Sequence, residues 1–586
     1  MHKYLKLALW GLGGLAFVLV LVAFVVATRF HPNDYKPEIE RLAKEHTGRT
    51  LKLGGDLQLA FFPSIGVKIA GVRLSERNAE EDFVTLDSAH VSVKVLPLLA
   101  GSVVVDTIRV SGLQANVTKG KDGKFNFDDL LGGGKKNAAA APAGGEGGAP
   151  LALEVSGVKI DRSSVTYRDL AAGSELVLAD FRLSTGRVAP RTAGSLELAA
   201  ALKGSKPQVD ARLELDAQYS VDLPQRNVAL PKLSAELVVA APELPAKTLK
   251  ITTSGNLQAD LEKQLVNADL LTRFDETIVH TKLGLANFAT PSYRFDINVD
   301  RFNADRYVKK EKAAKPAAKA AAPAAETDTP VDLSFLKGLN ANGRLQAGAL
   351  QVGGIKLAKV HAEVKAANGR MDVAPHSANL YEGSVSGALT LHADNRVALK
   401  ETLAGVAIGP LLRDAAEMDR LEGRGNVAFD VAAAGRTVGA MKKALSGSAQ
   451  LNLKDGTLKG IDLLGALRKA SSPLGRRSAA EEKTEFAGLF ASFRIKDGVA
   501  RNDDLAMHAT LFRVAGKGDV DIGGSKLDYQ IKASLVDPGK DRAGMTVPVR
   551  FSGPFAGPAY DVDYGAVAKD VARTKVGDRI KDLLKR

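Results

Sequence analysis

The sequence predicts a mostly β protein built on a large antiparallel sheet, as a sandwich, a barrel or an extended repetitive sheet. A few peripheral helices, one N-terminal transmembrane helix and a C-terminal amphipathic helix complete it. Three observations carry this. Short alternating runs between turn signals fill most of the chain, as in "DARLELDAQY" and "RFDINVDRF". An uncharged run stands at the N-terminus, and a basic amphipathic segment ends the chain. At 586 residues the length suits about three or four domains of roughly 100–200 residues each.

The first element is "LALWGLGGLAFVLVLVAFVVA", Leu7 to Ala27, with Trp10, Phe17 and Phe24 inside it. A helix needs about 20 apolar residues to cross a bilayer. A cleaved signal peptide ending at Ala27 is the alternative, but its apolar core runs only about 7–15 residues. The reading is an uncleaved anchor over 1–28, N-terminus in the cytoplasm and the rest outside. Arg29, Lys36, Arg41 and Lys44 follow the span, but long domains translocate largely regardless of such charge.

Next comes "HPNDYKPEIERLAKEHTGR". Asn33 or Asp34 can cap a helix over about 35–47, with Ile39, Leu42, Ala43 and His46 at helical spacing and Gly48 as the stop. The period then changes to two. "AHVSVKVLPLL" sets Val91, Val93 and Val95 against Ser92 and Lys94. Two stretches, 132–150 and the Ala/Lys/Pro-rich 309–330, cannot bury enough apolar surface to offset their ordering entropy. They divide the exterior into 29–131, 151–308 and 331–564, followed by the tail 565–586. In the last β region helices are expected near 409–418, 437–446 and 460–470. "DVDIGGSKLDYQIKASL" reads as a hairpin turning at Gly523-Gly524-Ser525. Val520, Ile522, Leu527, Tyr529 and Ile531 share its apolar face. In the tail, Val567, Val571, Ile580, Leu583 and Leu584 form an apolar stripe that either rests on an anionic membrane surface or packs on the sheet.

Lys-Asp-Gly followed by Asp-Leu recurs at 121–130, 454–463 and 496–505. A calcium loop needs oxygens at its third and fifth positions, and they are missing. A phosphate loop needs more glycines and a Lys-Ser/Thr. Asp-Gly between alternating runs is a hairpin signal, because both turn residues favour positive φ. The phrase is therefore expected to be a structural joint.

No chemistry emerges elsewhere. The absence of cysteine excludes disulfides, thiol nucleophiles and thiolate metal sites. The nine histidines are scattered, with no His-Glu-x-x-His. Paired acids such as Asp503-Asp504 point to opposite faces of a strand. The expectation is a non-enzyme without cofactor or metal. A net charge of +13 suits anionic partners or a plain solvated basic surface. Outside the cytoplasm, membrane headgroups are the better candidate and nucleic acid is not expected.

"HPNDY" after a membrane span, then "GDLQLAFFPSIGV" and "VSVKVLPLLAGSVVVDTIRVSGLQANV" (91–117), resemble the start of the AsmA family. "FRIKDGVARNDDLAMHATLFRVAGKGDVDIGGSKLDYQIKASLV" and "VPVRFSGPFAGPAYDVDY" resemble the family's C-terminal part. The resemblance implies a Gram-negative inner-membrane protein with a large periplasmic β-rich domain, linked to outer-membrane assembly and phospholipid movement. The fold it implies is an extended, curved antiparallel sheet, groove- or taco-like. About 25 strands spaced ~4.8 Å apart would make a trough near 120 Å long. Phospholipid or another envelope lipid would ride on its apolar lining, with Val520, Ile522, Leu527, Tyr529 and Ile531 as the candidate groove face. The competing function is a scaffold for outer-membrane protein assembly, with a filled core and no lipid.

Overall fold

The structure, a computed structural model, describes residues 32–60, 64–99, 103–132, 154–189, 191–206, 208–222, 224–242, 244–307, 329–460, 483–536, 543–555, 557, 559–563 and 565. The protein is mostly β, with a few short helices. Among the described residues no helix is long and apolar enough to cross a membrane. The expected span, with Leu7, Trp10, Phe17, Phe24 and Ala27, lies outside them. So do the expected helix at 461–470 and the tail beyond Gly565.

The chain forms two compact units, Met1–Asp275 and Glu276–Arg586. In the first, the helix Lys36–Thr47 ends at Gly48, whose φ of 68° is the left-handed stop the sequence offered. Its start differs from expectation. No side chain caps it, and a 3₁₀ turn, Pro32–Tyr35, leads in. The Asn33 carboxamide instead accepts the Leu57 N–H at 2.8 Å, tying the helix to the first strands. Long strands then follow as an antiparallel meander from Ser174–Thr185 to Leu265–Phe274.

A buried arginine closes the start of this unit. Arg49 has no solvent exposure. Its guanidinium donates to both oxygens of Asp129 (3.0 and 2.8 Å), to Ser75 O (3.1 Å) and to Asn126 O (2.5 Å), and lies 4.6 Å over the Phe83 ring. The first Lys-Asp-Gly phrase delivers these partners. Gly123 (φ 82°) turns the chain, Lys119 and Phe125 bridge across it, and Asp129 follows on a short helix, Asp128–Gly132. The guanidinium holds the Asp129 carboxyl below the usual carboxylate range.

In the second unit, strands from Thr277–Ala286 to Ala559–Val562 continue the same pattern. The helices Ile408–Ala416 and Val438–Lys443 form where expected. A core gathers Leu380, Leu403, Val406, Leu453, Phe486, Met507, Phe512, Val514, Ile531 and Val547, with Ile408 at the start of its helix. Leu453 and Val406 are fully enclosed. Side chains on one sheet face reach that state only where other residues cover them.

Among the described residues each unit also contains one parallel junction. In the first, strands between Val104 and Lys119 pair in parallel with those between Glu154 and Asp169. In the second, Ser292–Asn303 pairs in parallel with Asn340–Val352. Parallel neighbours need a crossover of a dozen or more residues. The two low-complexity stretches, 132–150 and 309–330, fall within these crossovers, so the strands on either side of each are direct neighbours.

Bulges recur along the strands of both units. Registers shift at Asp180, at Pro231-Lys232, between Val373 and His376, at Gly405 and at Asp455. Each bulge bends its strand and increases local twist. The second Lys-Asp-Gly phrase belongs here. Strand Ser446–Lys459 runs straight through it, and Asp455 (φ 46°) is a bulge residue rather than a hairpin turn. The third phrase is the expected hairpin: Lys496 pairs with Val499, and Asp497 and Gly498 both have positive φ.

Candidate functional site

The feature with functional potential is the apolar face of the first unit. Cross-strand register lines up Leu183, Leu198, Leu215 and Ala235 in one row. A second row holds Ala200, Leu213, Leu237, Ile251 and Phe274, and a third holds Leu178, Leu202, Ala211, Val239 and Leu249. A fourth runs Leu196, Ala217, Leu233, Gly255 and Leu270. Four rows span about 20 Å along the strands, and six strands about 24 Å across. The opposite face carries Glu197, Arg212, Glu214, Asp216 and Lys203, all exposed. Alternation at period two makes this division.

The large side chains of these rows are half-buried. Among the described residues of this unit, Phe83 and Tyr219 are the large apolar side chains that are buried. Tyr219 lies flat where Gly194 faces it, and its hydroxyl donates to Gly186 O at 3.1 Å. A contiguous apolar area of about 20 by 24 Å is of the size that often marks a binding surface.

The hairpin face singled out from sequence lies in the second unit. Val520 stands opposite Leu527, Tyr529 opposite Gly518 and Ile531 opposite Gly516, all on one face. Val520, Leu527 and Tyr529 are half-buried, but Ile531 is 9% exposed and belongs to the core. Ile522 does not belong to this strand face, because the strand ends at Asp521. The Asp521 carboxylate accepts the Gly524 N–H at 2.6 Å, and Ser525 takes φ 53°, so the chain already turns at Ile522. The face is therefore core at one end and half-open at the other.

Polar groups missed by the sequence reading interrupt the apolar face of this unit. Asn502, fully buried, donates to Ser492 O (2.8 Å) and Asp504 Oδ1 (2.6 Å) and accepts from Leu505 N–H and the Tyr529 hydroxyl. It fixes a bulge between Asn502 and Leu505, which is the role of the Asn-Asp-Asp that follows the third Lys-Asp-Gly. Burial, with Asp504 and Asp503 nearby, pushes the Tyr529 phenol up. Glu401, 7% exposed, pairs with His376 at 2.6 Å. His376 Nδ1 lies 3.0 Å from Val373 O and donates to it. Between them Gly387 leaves the space: a Cβ there would stand 2.6 Å from Glu401 Oε2. The spacing of residues 376 and 401 gave no sequence signal, since only the register of three strands brings them together.

At the rim of this unit, a cavity of about 740 Å³ opens between strand ends. Tyr381 and Glu382 line it from a two-residue turn with φ 41° and 69°. The Tyr381 hydroxyl donates to Asp414 Oδ2 at 2.7 Å, and burial with that carboxylate beside it pushes the phenol up to about 12. The Tyr381 and Lys356 donors hold Asp414 below the carboxylate range. Among the described residues no cluster of three or more His, Asp or Glu side chains is placed to hold a metal ion.

The fold defines a mostly β protein with a half-buried apolar sheet face. The AsmA family profile matches residues 1–296 and 197–505. The chain belongs to the AsmA family. Membership and the large β-rich sheet fit, at the level of class, a role in envelope lipid movement or outer-membrane assembly. No curated protein matches the sequence.

Proposed function

We propose that this is a membrane-anchored periplasmic protein that binds and passes phospholipid along its apolar sheet face, without catalysis. The observation that carries the reading is the leucine-rich face of the first unit, whose large side chains are half-buried among the described residues. Burying a CH₂ group is worth about 0.8 kcal/mol. Acyl chains laid on these rows would complete their burial while the headgroups stay in water. The expected anchor at Leu7–Ala27 would place the sheet beside the inner membrane, its source of lipid. A scaffold role in outer-membrane protein assembly is the second reading, and the covered core of the second unit suits it.

Native mass spectrometry of the full chain, released from a neutral detergent, tests the choice. Phospholipid retained in fixed stoichiometry is expected. A folded, lipid-free protein that instead holds a stable protein partner would favour the scaffold.

A further inference from the structure

The rim cavity of the second unit shows how a headgroup could be selected. Its floor is apolar, from Leu350, Leu357 and Leu380. Leu380 belongs to the buried core and Leu357 packs against it, so the floor continues into the apolar face. A line of residues at Asp300, Gly348 and Lys359 makes this possible. Exposure follows the alternation up to Val299, Ala347 and Val360, then breaks, and Phe302, Leu350 and Leu357 turn inward instead. Lys359 carries the left-handed φ of 51° that permits the reversal.

The charged rim is balanced. Lys356 is held by Asp414 at 2.9 Å, Arg301 leans to Asp300 at 3.8 Å, and Glu382 is held by Arg424. Two exposed lining groups remain without a partner among the described residues, the Arg306 guanidinium and the Glu276 carboxylate. The stacked rings of Phe302 and Tyr307, 5.7 Å apart, stand beside Arg306. The turn across the mouth is strained. Tyr381 and Glu382 both occupy left-handed φ, which Asn and Gly adopt readily and these residues do not. Such strain is retained where the surrounding structure requires that placement.

From this we infer that the rim cavity holds the headgroup of a zwitterionic phosphodiester amphiphile. The phosphate would meet Arg306, supported by Arg301, and the ammonium would meet Glu276 and the aromatic faces. A purely anionic headgroup would meet Glu276 as a like charge, and a purely cationic one would meet Arg306. The apolar floor requires a chain. The inference rests on the amphiphile-binding reading above.

The test uses the full chain in dodecyl maltoside with three photoactivatable dodecyl probes, bearing phosphocholine, phosphate or trimethylammonium. Labelled peptides are mapped by mass spectrometry. The phosphocholine probe should label peptides containing Leu350, Leu357 and Leu380 well above the other two. Arg306→Glu should reduce that labelling about 10-fold, the equivalent of one charge-assisted contact. Glu276→Lys should turn the preference toward the phosphate probe. Both residues are exposed, so neither substitution threatens the fold. Equal labelling by all three probes, or insensitivity to both substitutions, would overturn the site. So would displacement of the label by chain-free phosphocholine as effectively as by the chain-bearing compound. Labelling confined to the leucine rows of the first unit would remove this site and leave the proposed function standing. No labelling anywhere would remove both.

Discussion

Replacing Leu215 by Asp and, separately, Ile531 by Asp distinguishes an open face from a core. Ile531 is 9% exposed and sits among Val514, Ala533, Val547 and Val549. Its replacement forfeits about 2–3 kcal/mol of apolar burial. It also leaves a carboxyl group without partners, which costs several kcal/mol more. The sum, about 5 kcal/mol or more, is comparable with the whole stability of a domain. Ile531→Asp should therefore unfold the second unit. Leu215 lies half-buried between Leu198 and Ala235 on the open face. A carboxylate there keeps contact with water, so the cost should stay near 1 kcal/mol. The fold should survive, while an acyl chain would meet a charge in the middle of its path. The assay pairs hydrogen exchange of each unit with lipid retention. The expected pattern is protection intact and lipid lost for Leu215→Asp, and protection lost across the second unit for Ile531→Asp. If Leu215→Asp unfolds the first unit as thoroughly, that face is covered and the reasoning fails.

Two further outcomes follow from buried polar groups. Arg49 holds the Asp129 carboxyl below its ordinary value of 3.8, so this pair stabilises the first unit above that pH, and the contribution fades as pH falls through the lower folded value. Asp129→Asn should cost about 1–3 kcal/mol near neutral pH, because the buried guanidinium loses its bidentate partner but keeps Glu76 at 3.6 Å; thermal unfolding from pH 5 to 2 should be steeper for the native protein than for the variant, and parallel curves would contradict the linkage. Asn502→Ala leaves Ser492 O and Leu505 N–H unpaired within the core and should cost about 2–4 kcal/mol in denaturant titration, at roughly 1–3 kcal/mol for each stranded group before relaxation. A loss below 1 kcal/mol would mean that water replaces the carboxamide.

Much of the architecture was legible because its signals are local. Alternation in "DARLELDAQY" and "GSVSGALTLHAD" is sufficient to define strands and their wet and dry faces, and both are strands here. Helix Lys36–Thr47 was visible for the same reason, through spacing and Gly48. Positive φ was legible too, but not its use. Lys-Asp-Gly makes a hairpin at 496–498 and a bulge at 454–456. The local chain is the same in both, and only the partner strand decides whether the extra residue turns the chain or is absorbed. Arg49 gave no signal, because its partners lie near residues 75, 126 and 129. The Glu401–His376 pair was hidden likewise by register.

The low-complexity stretches acquire a different meaning from the pairings. A meander of hairpins alternates strand direction, so its direction can be reset only by a crossover that returns the chain to the starting end. Among the described pairings, the sheets reset twice, and each time a compositionally simple stretch falls in the crossover. Such a connection must be long but need not pack. Its loop-closure cost rises only slowly, by about 0.6 kcal/mol for each doubling of length. Their Gly/Ala/Pro and Ala/Lys/Pro composition suits a connection of that kind. It follows that low complexity here does not mark the end of a packed region. The strands on either side hydrogen-bond directly, residue for residue, from Tyr293 with Ala341 to Asn303 with Gln351. Any apolar lining carried by Phe295, Ile297 and Val299 thus passes without a gap to Leu345 and Ala347. A path for an acyl chain would cross that junction on the sheet face.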